Sequence, residues 1–171
     1  MVAVIYSILW IIFSWKWVDW RNWEKYYPTV LFAVVGDLLY EVICSEYPLW
    51  AMEANGLPNR TLPMLLLGFI GMPLSVMIYL SNYPDRGTIK QQFMYIVLFT
   101  YIFVILEYIS IQYGSITYHN GWNLFWSLVF DVAMFTILRI HSRNVKMALV
   151  LSVGFILVLS LLFDLTFDKM K

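Results

Sequence analysis

Residues 93–113 read FMYIVLFTYIFVILEYISIQY, twenty-one positions with one charged side chain, Glu107, among aliphatic groups and seven aromatic rings. A helix rises about 1.5 Å per residue, so about 20 such residues cross a hydrocarbon layer of ~30 Å. Water cannot solvate a run like this from all sides, and a helix apolar all round is a buried or lipid-facing helix. The same pattern repeats outward along the chain. Spans are predicted near 1–15, 29–47, 62–81, 93–113, 122–140 and 146–164, with connections too short for a separate aqueous domain. Pro28 and Pro63 fall at first-turn positions, where a missing N–H is harmless, and Pro48 and Pro84 follow span ends. Pro73 lies inside the third span beside Gly71 and predicts a kink.

Composition agrees. Hydrophobic residues make up 61% of the 171-residue chain and charged ones 13%, against roughly 25% charged in a soluble domain. That excludes an ordinary soluble enzyme, a disordered tail and a disulfide-rich secreted module. Eleven basic residues balance eleven acidic ones, so no field for nucleic acid arises. Cys44 is the sole cysteine, which leaves no pair for a disulfide or a CxxC site. The expected fold is an all-α, polytopic transmembrane helical bundle of one domain over residues 1–171. It has six spans, or five if 1–15 does not cross. Residues 1–15 begin without a basic group or a cleavage motif and are read as a retained span rather than a secretory signal.

Orientation follows from the connections. Lys16, Arg21, Lys25, Arg86, Lys90, Arg139, Arg143 and Lys146 fall on one side, and Arg60, Lys169 and Lys171 on the other. The positive-inside rule puts the first set in the cytoplasm and both termini outside. Between residues 15 and 28, Trp15, Trp17, Trp20, Trp23, Tyr26 and Tyr27 alternate with charges, the composition of an anchor in the headgroup zone. Arg139, His141, Arg143 and Lys146 form a basic cluster expected to meet anionic headgroups.

Polar residues at membrane depth are where function is expected, because an ionisable group there costs at least ~2.5 kcal/mol and needs protein or water around it. Asp37 and Glu41 stand one turn apart on span two. Glu107 lies on span four, two turns after Thr100. Asn123, Ser127 and Asp131 follow at i, i+4 steps on span five, after Tyr118-His119-Asn120-Gly121-Trp122. Periodic stripes on apolar helices should face one another. Asp37, Glu41, Glu107 and Asp131 are therefore the candidate ligand-binding or ion-coupling set, with His119, Asn120, Asn123 and Ser127 at the rim of an outward-facing pocket. No Lys or Arg lies at that depth, so the four carboxylates must take up protons or share a cation. For Ser127, Thr100 or Asn123 taken singly, interhelical hydrogen-bond glue is the plainer reading. Four acids exceed what packing needs.

No established metal motif, Walker loop, GxSxG or GxGxxG is present, and no cofactor or metal is expected. Gly68, Gly71 and Ser75 give span three a small-residue face suited to close packing. Asn59-Arg60-Thr61 matches a glycosylation acceptor, although Thr61 also suits a helix cap.

Several stretches carry a resemblance. They are Tyr26-Tyr27-Pro28-Thr29, Gly36-Asp37-Leu38-Leu39-Tyr40, Leu49-Trp50, Leu57-Pro58-Asn59-Arg60-Thr61 and, most specifically, the block from Tyr118 to His141. Together, over about residues 20–150, they resemble a family of small multi-pass membrane proteins of spore-forming Gram-positive bacteria. The resemblance implies a bacterial cytoplasmic membrane and a helical polytopic fold. The family has no assigned activity.

Two functional classes follow from the residues. The leading one is a small transporter, channel subunit or sensor that binds a cation or small polar ligand in the acidic pocket. The alternative is an intramembrane enzyme acting on a lipid or isoprenoid, with Glu41 or Glu107 as acid/base near His119 and Asn120. A structural or assembly subunit is a third. Expected partners are the bilayer and a second copy or another membrane protein.

Overall fold

The computed structural model describes residues 1–166; Lys169 and Lys171, used above for orientation, lie outside the described residues. The chain is mostly helical. The described residues form six long helices, α1 (Val2–Trp17), α2 (Trp23–Ile43), α3 (Thr61–Ser81), α4 (Ile89–Gln112), α5 (Leu124–His141) and α6 (Val145–Leu162). The last five are long and apolar enough to cross a membrane, and α1, at 16 residues, is shorter. Two three-residue strands, β1 (Trp50–Met52) and β2 (Ile116–Tyr118), pair antiparallel with Trp50 opposite Tyr118.

Local chemistry sets these boundaries. Thr88 and Gln91 form a reciprocal capping box at the start of α4. Asn123 and Asn144 cap α5 and α6 through their side-chain oxygens. At α3 the capping oxygen comes from Asn59, which accepts from the Leu62 N–H at 3.0 Å, rather than from Thr61. Helix α2 starts at Trp23, five residues before Pro28, so this proline lies inside the helix and not in its first turn. The aromatic and charged stretch before it, with Glu24 in the first turn, is itself helical.

The Pro73 expectation resolves in a specific way. Residues Leu67–Gly71 form one π-helical segment just before Met72 and Pro73. Proline has no N–H to offer the preceding turn, and its ring needs room there. Widening the turn with one extra residue supplies that room without breaking the helix. The small residues around the bulge serve two neighbours. A Cβ on Gly68 would stand 2.8 Å from Asp37 Oδ2 on α2, and one on Gly71 would stand 3.6 Å from the Trp10 ring on α1. Glycine at position 68 thus lets the Asp37 side chain of α2 approach α3 closely, while the Trp10 contact at Gly71 is ordinary van der Waals packing.

The helices alternate in direction between two ends. At one end the β-ribbon joins the α2–α3 and α4–α5 connections, and Met1 is tied there through its amino group to Asn55, whose side chain donates to the Tyr113 carbonyl at 2.7 Å. Helix α1 ends at the opposite, basic end, where Asn82 donates to the Trp17 carbonyl at 2.7 Å. Phe163, after α6, returns to the ribbon end and packs on Trp122 and Trp126. Helix α3 is central: it packs on α1 and α2, and its fully buried Tyr79 meets Tyr95 and Phe99 of α4 and Phe135 of α5. Tyr79 donates to the Phe135 carbonyl at 3.0 Å, and Tyr95 donates to the Tyr79 carbonyl at 3.1 Å. Each buried hydroxyl therefore has a partner, and the ring cluster locks three helices in register.

The basic end departs from the headgroup cluster anticipated from sequence. Arg139 and Arg143 both pair with Asp85 in the α3–α4 connection, and Arg139 also lies over the Tyr83 ring at 4.3 Å. His141 is only 6% exposed; its Nδ1 is 2.9 Å from the Thr29 hydroxyl and its ring stacks on Phe32. These three side chains hold α2, α5 and the α3–α4 connection together, whereas Lys146 is exposed and has no ion-pair partner among the described residues. Sequence spacing shows a basic cluster but not the acid brought to it from another connection.

Candidate acidic site between helices α4 and α5

The site begins with a chain reversal. After α4, Gly114 adopts φ +65°, a left-handed conformation that ends a helix at little strain in glycine. Strand β2 then folds back across the end of α4 and brings the Tyr118 hydroxyl to Glu107 Oε1 at 2.8 Å. A second turn, Asn120-Gly121, again at positive φ, leads into Trp122 and the Asn123 cap. One turn into α5, the Ser127 hydroxyl donates to the same Glu107 oxygen at 2.7 Å, accepts from the Trp122 indole N–H at 2.9 Å and lies 3.3 Å from the Tyr118 oxygen. Glu107 thus accepts two hydrogen bonds from groups that α4 itself does not carry.

Asp131 lies one turn further along α5, on the face of Ser127. It is 6% exposed, and no protein group donates to its Oδ2. Thr100 on α4 has the same property in milder form, a buried hydroxyl oxygen with no partner. An ionised carboxylate without donor or counter-charge in an apolar interior is strongly unfavourable, so Asp131 calls for a proton or a bound cation. Aromatic rings close the site towards the ribbon: Trp122 packs on Trp50 at 4.9 Å and on Phe163 at 5.1 Å. On the ribbon, outside the long apolar helices, burial holds the Tyr118 phenol above its usual pKa, with the Glu107 charge adding to the effect. It therefore stays a hydrogen-bond donor at any ordinary pH.

The ribbon depends on α2. Tyr40 stacks on Trp50 with ring centres 3.8 Å apart. Its oxygen accepts from the Leu49 and Trp50 N–H groups at 2.9 and 2.8 Å, and its hydroxyl donates to the Trp50 carbonyl at 2.8 Å. No family model, curated protein or solved structure matches this chain.

The residues singled out from sequence fall into separate groups. Glu107, Ser127 and Asp131 come together with Tyr118 and Trp122. Asp37 and Glu41 form a second pair on α2, one turn apart and half-buried, with Asp37 against Gly68 of α3. Among the described residues no group of three or more His, Cys, Asp or Glu side chains is placed to hold a metal ion. His119 is exposed, and its Nε2 lies 2.9 Å from the Thr117 hydroxyl, which also donates to Glu53, itself bridged to Arg60 at 2.9 Å. Along a strand, successive side chains point to opposite faces. Tyr118 therefore turns inward, while Thr117 and His119 turn away. Asn120 donates to the Pro48 carbonyl at 2.8 Å, and the Asn123 oxygen is occupied in capping α5. Tyr118, Trp122 and Tyr40 were not anticipated as site residues. The one available signal was the dense aromatic and polar run Tyr118–Trp122 just before the helical stripe that starts at Asn123.

Proposed function

We propose that the chain is a multi-pass protein of a bacterial cytoplasmic membrane, with both ends of the described chain on the outer side, that binds a proton or small cation at Glu107 and Asp131. This is the reading of a small ion-coupled transporter, channel subunit or sensor. Five helices of spanning length and a surface rich in large exposed apolar side chains support the membrane setting. The single observation that carries the site is Asp131: buried, acidic and without a protein donor. Intramembrane acids of this kind mark ion and proton pathways. Glu107, held by two hydroxyls, acts as the fixed neighbour with which Asp131 exchanges or shares the bound ion.

Kinship with the spore-former membrane family belongs to the same proposal. Two of the segments that carry the resemblance, Leu49-Trp50 and the first part of the block from Tyr118 to His141, build the ribbon and this network.

A carbodiimide tests the reading, since it adds to protonated carboxyl groups in apolar surroundings. Mass mapping of the purified protein should find the adduct on Asp131, lessened by alkaline pH or by the cation that binds. Proteoliposomes should show a proton or cation flux that Asp131→Asn abolishes. An unlabelled Asp131, together with liposomes no leakier than protein-free ones, would sink the proposal.

A further inference from the structure

Helix α1 rests along α3 but reaches α4 only near the ribbon end, where Tyr6 donates to the Leu106 carbonyl at 2.9 Å and Trp10 meets Phe103. Below that tie the helices part. They leave an apolar groove of about 550 Å³ walled by Trp10, Phe13, Trp17, Ile78, Leu98 and neighbours from α1, α3 and α4. The polar groups that line it already serve the protein: Tyr6 donates to Leu106, Tyr95 to Tyr79, and Asn82 to Trp17 and Ile78. The groove therefore suits hydrocarbon. From Tyr6 to Trp17 it follows eleven residues of helix, about 16 Å at 1.5 Å per residue.

Its Trp17 end is basic. A shallow, open depression shares Tyr95 and Leu98 with the groove and is bordered by Lys90 and Gln91. Lys16 lies at the same end, its ammonium 5.6 Å from the ring of Trp17. Asp85, beside the lining residue Pro84, is already engaged by Arg139 and Arg143. Lys90 is exposed and has no ion-pair partner among the described residues.

We propose that this groove is a binding site for one anionic membrane phospholipid, with an acyl tail between α1 and α4 and the phosphate at Lys90. An apolar slot ending at an unpaired ammonium is complementary to a lipid with a negative headgroup, as in basic pockets between membrane helices. The lipid fills the space that α1 leaves open and fastens this short helix to the bundle. Nothing in this proposal depends on the acidic site, which lies between α4 and α5 at the ribbon end.

Native mass spectrometry of the full chain, delipidated in detergent and titrated with phosphatidylglycerol or phosphatidylcholine, tests it. The expected result is one phosphatidylglycerol bound at least fivefold more tightly than phosphatidylcholine. Lys90→Gln should remove about fivefold of that preference, the contribution of one basic residue at a membrane surface, while phosphatidylcholine binding stays unchanged. Leu98→Trp, which fills the groove, should weaken both lipids. Lys90 is exposed, so its variant folds and remains informative even if Leu98→Trp does not. Equal binding of the two lipids, indifference to Lys90→Gln, or a dimer whose copies cross-link through the α1–α4 groove would overturn the proposal.

Discussion

The two acidic pairs of this protein are built from the same residue types on apolar helices, yet they sit in different surroundings. Asp37 and Glu41 share one helix and are half-buried, with Asp37 against Gly68 of α3, and neither carboxylate has a hydrogen-bond partner among the described residues. Glu107 and Asp131 come from two helices, and around them the chain has gathered a phenol, a serine hydroxyl and an indole N–H. A stripe of acids at helical spacing tells which face they share. It does not tell whether donors from another element meet them, and that difference separates a pair the fold merely accommodates from one around which it is organised.

The largest effect should come from removing the donors of the second pair. Tyr118→Phe together with Ser127→Ala leaves Glu107 without either hydrogen bond, at about 3 kcal/mol of stability, since unpaired buried polar groups lose about 1–3 kcal/mol each. Thermal or denaturant unfolding in mixed micelles measures this, and a loss below 1 kcal/mol would erase the contrast between the pairs. Next comes Tyr40→Phe, on the same helix as the first pair. It strips the Leu49 and Trp50 N–H groups of their acceptor, with an expected loss of about 2 kcal/mol and faster amide exchange confined to the ribbon. The smallest is Asp37→Asn, expected to shift stability by no more than about 0.5 kcal/mol in the same unfolding assay, because no hydrogen bond is lost. A larger loss there would show that Asp37 has a partner as important as those of Glu107.

Much of the helical layout was legible because hydrophobic runs, prolines and caps act locally. The charge-free run after Lys90 suffices to place this helix near 93–113, although it starts four residues earlier, at Ile89, behind the Thr88–Gln91 box. The Pro28 case marks the limit: a proline at a composition change looks like a helix start, but helical propensity in the preceding residues carried the start back to Trp23. At the site, Glu107, Ser127 and Asp131 could be selected by period. Tyr118 could not, because it reaches Glu107 from a strand reversed over the end of its own helix. The roles of His119 and Asn123 were equally hidden: one is turned away by strand alternation, and the other is consumed as a cap.

Sequence alone determined that this chain is helical and apolar, where its long helices run and which of their faces carry acids, since these properties come from neighbours within a few turns. Tertiary structure alone decided which acids receive hydrogen bonds, which basic groups are already spent on Asp85, and where α1 leaves a groove. Hydrogen bonds and burial between distant segments depend on how helices and reversals are placed in space, and no local period encodes that placement.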